Sequence, residues 1–374
     1  MAHAYIPGLK VSGFTEFERE RRLPLKGQVL VEVGQRVDAG TVVARTELPG
    51  NVVPINLANQ LSVPPADVEG ALLKPLGSAV EKGEVIAKVK ALFGLTTQSA
   101  KAPARGTLES VSRATGQLIL REPPLPVEVD AYVGGVVSRV LPDEGVVIAS
   151  RGAFVQGIFG IGGETRGALR MLVKEPAEVA GPERLGDAER GCVVVCGAHA
   201  SHAFLAQAVQ LGVAGVVAGG LDDRDLRDFL GYDLGVAITG TEDQGLTVLV
   251  TEGFGQLAIA GRTFRLLAAL AGRDVSLSGA TQIRAGVMRP EILCPLDAPL
   301  PETASSSAGA GGLQLGAAVR AIRQPYFGQL GTVVGLPPEL HKLETEALVR
   351  VVEVDFGAAG RRLLPRANVE LLEA

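Results

Sequence analysis

Two groups of side chains in this 374-residue sequence have the types and spacing that can do chemistry. The first is Cys196, His199 and His202, a thiol and two imidazoles at the end of the apolar run CVVVCGA. Thiolate and neutral imidazole suit zinc, and two histidines three apart in a first helical turn share one side of the helix. A thiol at a helix N-terminus is also acidified, so Cys196 with His199 as base is a candidate nucleophile. The histidines lack the intervening Glu of His-Glu-x-x-His, and no second ligand cluster stands nearby, so neither metal nor cofactor is expected. The preferred reading of Cys196 is a buried structural cysteine. The following apolar runs end in Gly219 and Gly220, in Thr239 and Thr241, and at Glu252. Small and polar residues at successive strand ends leave room for a ligand, although ordinary strand-to-helix turns have the same composition.

The second group is Arg320, Arg323, Tyr326, Phe327, Arg361, Arg362 and Arg366, near the C-terminus. Guanidinium groups bind phosphate, and rings stack on bases, so this set suits RNA. The same rings can instead cap a small core. From Leu313 onward the sequence carries 7 Lys plus Arg against 7 Asp plus Glu, and the whole chain has a net charge of −5. No long-range basic field gathers a polyanion, so any nucleic-acid contact must be local.

The elements that must position these residues can be read from pattern. From Gly191 the sequence alternates strand and helix: CVVVCGA, SHAFLAQAVQLG, AGVVAGG, DDRDLRDFLG, then VAITG and LTVLVTEG. Short, wholly apolar runs fit a mostly parallel sheet covered by helices, with helix starts at Ser201 and Asp222. This α/β domain is expected over 177–294, where 9 basic residues face 14 acidic ones. It loosely resembles swivelling and protease-associated domains, a likeness that brings no catalytic residue with it. Residues 295–312, PLDAPLPETASSSAGAGG, read as a flexible linker.

Before this domain, the chain repeats itself twice. VEVGQRVDAGTVVAR matches LGSAVEKGEVIAK at an offset of 43, with Gly34, Val37, Gly40 and Ala44 falling on Gly77, Val80, Gly83 and Ala87. APARGTLESVSRATGQLIL matches AYVGGVVSRVLPDEGVVIA at an offset of 29, with Gly106, Val111, Gly116 and Leu118 on Gly135, Val140, Gly145 and Val147. Alternating apolar residues with glycine at turns predict short strands of a closed or sandwiched sheet, and 54–74 reads as a short helical insertion. This region resembles the barrel-sandwich hybrid of biotinyl and lipoyl carrier domains. The carrier function does not transfer, because the modified lysine's hairpin tip is missing; Lys90 and Lys101 read as surface residues. A tight hairpin is expected at Gly162 and Gly163.

LQLGAAVRAIRQPYFGQLGTVVGLP, from Leu313, resembles a KOW motif, the strand and turn unit of SH3-like barrels in ribosomal proteins and transcription elongation factors. The resemblance rests on Gly316, Val319 and Arg320, the turn Pro325 to Gly328, and Gly331 to Val333. It implies contact with RNA, a ribosome or RNA polymerase, or docking on another protein. The expected architecture is therefore multidomain α+β: a barrel-sandwich β domain over 1–176, the α/β domain, and an SH3-like barrel over 313–374. Three cysteines fit no disulfide framework and suit a reducing cytoplasm, and no run of about 18 apolar residues predicts a membrane span. The expected function is a non-catalytic factor that binds RNA or a transcription or translation assembly. The alternatives are a protein-interaction scaffold with no nucleic-acid role, and a ligand-binding or enzymatic domain near His199.

Overall fold

The computed structural model describes residues 9–91, 96–232, 245–281, 289–301, 313–323, 325–326, 329–342 and 348–371. The chain is mostly β, with few helices and several sheets.

One copy from each repeat pair combines into a small β unit, and one of the two units is nested inside the other. In the outer unit Gly34 N donates to Val137 O (2.8 Å) and Ala131 N to Thr41 O (2.9 Å). In the inner unit the residues at the repeat offsets do the same: Gly77 N to Leu108 O (2.7 Å) and Ala102 N to Glu84 O (2.8 Å). Gly34 and Gly77 have φ of +86° and +87°, a left-handed turn that a side chain resists. Gly106 and Gly135 are required for a different reason. A Cβ there would lie 2.3 Å and 2.4 Å from the carbonyl oxygens of Arg121 and Ala149 across the strand pair. The inner unit has its own core around Ile86, Leu108, Leu118 and Leu120. Between residues 54 and 74 lie the short helix Leu57–Leu61 and two 3-10 turns.

The outer unit has no separate core. Its Val43, Val137 and Ile148 pack with Phe17, Phe154 and Leu293 from the central body. The shared element is the long strand Gly145–Gln156, which pairs with Val11–Arg22, with Gly135–Leu141 and, toward its end, with Glu291–Pro295. The chain then continues into Phe159–Ile161, which pairs with Thr247–Phe254 at the far end of the same sheet. One continuous stretch thereby links an interior strand near one end of the central sheet to the edge strand at the other. Gly162 turns with φ of +85°, but the strands flanking it pair with different neighbours, so the expected hairpin is absent. The segments have separate partners because Phe159–Ile161 closes the sheet, whereas Glu164–Met171 lies between Val193–His199 and Asp274–Ser278.

Four strands run parallel in the order Glu164–Met171, Val193–His199, Gly215–Leu221, Thr247–Phe254. The last three are almost wholly buried, as strands covered on both faces must be, and the first two of these are almost wholly apolar. The sheet therefore draws strands from both sides of position 176. Helices His202–Leu211 and Asp223–Leu230 follow two of the strands and end at Gly212 and Gly231, both left-handed. Of the expected linker, Leu296 and Leu300 are buried in the central core, and 302–312 lie outside the described residues.

The C-terminal unit is a separate antiparallel sheet of strands Ala318–Ala321, Leu330–Gly335, Leu340–Lys342, Leu348–Asp355, Arg361–Pro365 and Val369–Leu371. Val319, Val333, Val352, Val354 and Leu364 form its core. No helix among the described residues is long and apolar enough to cross a membrane.

Candidate functional site

The strand ends expected to leave room for a ligand are filled by the chain itself. After Thr247–Phe254, residues 255–259 fold back across the neighbouring strands, and Leu257 N donates to Ala198 O (3.0 Å). A Cβ on Gly219 or Gly220 would lie 1.9 Å from Leu257 O or 1.8 Å from Gly255 O, so these glycines allow backbone to pack on backbone. The space over Gly219 and Gly220 is thereby taken up. Thr239 and Thr241 lie outside the described residues.

Cys196 is fully buried, with Sγ 3.5 Å from Val217 O, and burial pushes its thiol up to about 12. A nucleophile needs an accessible thiolate, so the Cys196–His199 pairing does not form. His202 sits in the first turn of its helix and uses its backbone N–H on Asp225 Oδ1 (3.1 Å). His199, at the end of its strand, faces two carboxylates. Its Nε2 is 3.2 Å from Asp222 Oδ2 and 3.3 Å from Asp225 Oδ2. Sequence reasoning assigns Asp222 only a helix start and assigns Asp225 no role. The legible signal is a D-x-x-D spacing at the start of the helix after the adjacent strand.

Glu252 and Arg320, expected at two unrelated sites, bind each other. Arg320 is 0% exposed, donates from Nη2 to Glu252 Oε2, and donates from Nη1 to Glu370 Oε1 (2.7 Å). Glu370 is its cross-strand partner in the C-terminal sheet and also accepts from Arg289 Nη1 (3.0 Å). The other oxygen of Glu252 accepts from Ala260 N (2.9 Å), just before helix Gly261–Ala269. Two arginines and two glutamates thus form a neutral cluster between the central body and the C-terminal unit. Arg320 cannot contact RNA, and Glu252 cannot line an open ligand site, because each charge is desolvated and held by the other. Arg320 Nε is left without a hydrogen-bond partner among the described residues, a cost of that burial.

The remaining C-terminal candidates divide between surface and structure. Arg323, Arg361 and Arg362 are exposed. Arg361 lies 3.6 Å from Asp355. Arg366 is half-buried and donates to Val351 O and Pro337 O, which makes it a clamp on the backbone. Tyr326 stacks on Phe356 at a centroid distance of 5.6 Å and packs against the small core. One ring face is therefore occupied. Phe327 lies outside the described residues.

An open groove of about 1450 Å³ lies elsewhere, between the outer repeat unit and the central sheet. Its wall carries Arg36, Arg151 and Arg273 beside Asp38, Asp274 and Asp297, a mixture of charges that selects no ligand class. Comparison with known proteins gives no match, either to a family model or to a curated sequence.

Proposed function

We propose that this chain is a non-catalytic multidomain factor that docks through its C-terminal β unit on RNA or on a transcription or translation assembly. In this reading the C-terminal unit is an SH3-like KOW barrel, the nested repeats are barrel-sandwich hybrids, and the protein works in the cytoplasm. The observation that carries it is the division of labour among the C-terminal arginines. Arg320 is spent on fastening the unit to the body, while Arg323, Arg361 and Arg362 stand exposed on a unit that is thereby held in place. The reactive groups of the strand-end region support binding over catalysis, since Cys196 is sealed and Glu252 is committed to Arg320.

A second reading, docking on protein alone, has its own support. Leu340 and Leu348 are 56% and 63% exposed on the ribbon formed by Leu340–Lys342 and Leu348–Asp355, where Leu340 faces Arg350. One experiment separates the two readings. Fluorescence anisotropy with single-stranded and hairpin RNA at low salt should show binding that weakens about tenfold or more in an Arg323→Ala, Arg361→Ala, Arg362→Ala variant. The salt slope should become shallower by about one for each phosphate-binding arginine removed. No RNA binding by the parent protein, together with partner capture from lysate that Leu348→Asp abolishes, would replace the first reading with the second.

A further inference from the structure

The structure assigns a binding site for one divalent transition-metal cation, of the Zn²⁺ class, to His199, Asp222 and Asp225. It is independent of the C-terminal docking surface. The three ligand atoms, one from each residue, lie within 4.8 Å of one another. Their closer separations, 3.2 Å and 3.3 Å, suit donors sharing one ion. A metal about 2.1 Å from each ligand spaces neighbouring donors about 3.0 Å apart in octahedral geometry and about 3.4 Å in tetrahedral geometry.

The His199 ring supplies a second, separate observation. Only 13% of its side chain is exposed, and Nε2 itself is shut off from solvent, yet among the described residues it makes no hydrogen bond. Both carboxylate oxygens are near enough to accept one, but neither lies in the required direction. Nε2 therefore sits beside both carboxylates with its hydrogen-bonding capacity unused. A buried polar atom without a partner is uncommon, and a bound ion is one of the few things that satisfies it.

The carboxylates are arranged accordingly. Asp225 is oriented by its other oxygen, Oδ1, which accepts from His202 N, as ligands commonly are held by an outer contact. Asp222 occupies the N-cap position of helix Asp223–Leu230 but makes no capping hydrogen bond. An aspartate there ordinarily accepts from an N–H of its own first turn. Here its Oδ2 is beside His199 instead.

Charge also favours a cation. Two carboxylates contribute −2, and the N-termini of helices His202–Leu211 and Asp223–Leu230 return about +0.5 each, which leaves about −1 for an ion to neutralise. One imidazole with two carboxylates suits Zn²⁺ or Mn²⁺ and disfavours Mg²⁺ and Ca²⁺, which take oxygen. Three protein ligands leave coordination positions free on the side of Asp222, whose side chain is 54% exposed, so water or an oxyanion can complete the sphere.

The test is titration of the full-length, untagged, chelator-treated protein with Zn²⁺ against a chromophoric competitor at neutral pH. One equivalent per chain should bind, weakened at least about 100-fold in His199→Gln and in Asp222→Asn, and unchanged in His202→Ala. Asp222→Asn keeps the test sharp because this half-exposed side chain makes no capping bond whose loss would unfold the helix. Circular dichroism should match the parent in each variant. Millimolar Mg²⁺ should not displace the ion. Equal Zn²⁺ affinity in the parent and Asp222→Asn, or no stoichiometric binding in the parent, would overturn the assignment and leave an ion pair between His199 and the aspartates.

Discussion

The outer repeat unit and the C-terminal unit are both small β structures carried by the central body, but they are attached by opposite means. The outer unit is continuous with the body: strand Gly145–Gln156 belongs to both, and Phe17, Phe154 and Leu293 complete its core. The C-terminal unit has its own sheet and its own core, and its contact with the body includes the Arg320, Glu252, Glu370, Arg289 cluster. A shared strand couples two cores through backbone hydrogen bonds and packing. A buried ion cluster can be broken by one substitution while both partners remain folded. The inner repeat unit gives the control, because it repeats the outer unit's hydrogen bonds around a core of its own.

The largest effect should come from the ionic attachment. Arg320→Met leaves the buried Glu252 without a charge partner and Glu370 with Arg289 alone, and removing one member of a buried pair costs about 3 to 5 kcal/mol. Hydrogen exchange should then show the faces around Thr247–Phe254 and Val369–Leu371 opening while the core amides of both units stay protected. Adding Glu252→Gln to that variant should restore much of the loss, since the stranded charge is gone and Glu370 keeps Arg289. Loss of protection throughout the central sheet would mean that the two units do not fold separately.

Core truncations test the other attachment. Ile148→Ala and Leu108→Ala each empty a fully buried position, at about 2 to 5 kcal/mol. Their reach should differ. Ile148→Ala should loosen Glu291–Pro295 as well as the outer unit, because both pair with the strand that carries it. The effect of Leu108→Ala should stay inside the inner unit. Equal spread in exchange measurements would remove the contrast between a shared and a self-contained core.

What was legible in the sequence follows the same division. The two repeats were readable because left-handed turns and close strand approaches demand glycine, so Gly34 with Gly77 and Gly106 with Gly135 mark equivalent places, but their combination into two nested units was not. The parallel strands were readable because runs such as VVVC are buried on both faces. Partners distant in sequence were not. Nothing local says that Gly145–Gln156 joins the sheet of Val193–His199, or that Arg320 meets Glu252 and Glu370, 68 and 50 positions away. An arginine on a short strand looks the same whether it faces solvent or a buried glutamate. The folded-back segment 255–259 was hidden for a related reason, since glycines at strand ends admit either a ligand or another piece of backbone.

The smallest expected effect concerns two thiols that report on the two halves of the central sheet. Cys196 lies among the parallel strands, and Cys294 lies on Glu291–Pro295, beside the strand shared with the outer unit. Burial raises them from 9.0 to about 12 and about 11, respectively. Because the folded values are raised, the contribution to stability is complete below pH 9 and is lost as pH climbs toward the folded values. For Cys196 the loss is about 1.4 kcal/mol per pH unit between the unfolded value and about 12. Urea melts of the parent at about pH 8, 9 and 10 should fall off above the unfolded value, and Cys196→Ala should flatten that alkaline limb even though it lowers the plateau. Thiol labelling at about pH 8 then ties the slope to the architecture. Ile148→Ala should admit reagent to Cys294 before Cys196, whereas Arg320→Met should hasten neither, since the ionic junction can open without separating the strands that bury them. Early labelling of Cys196 in Arg320→Met would show that the junction also braces the parallel sheet.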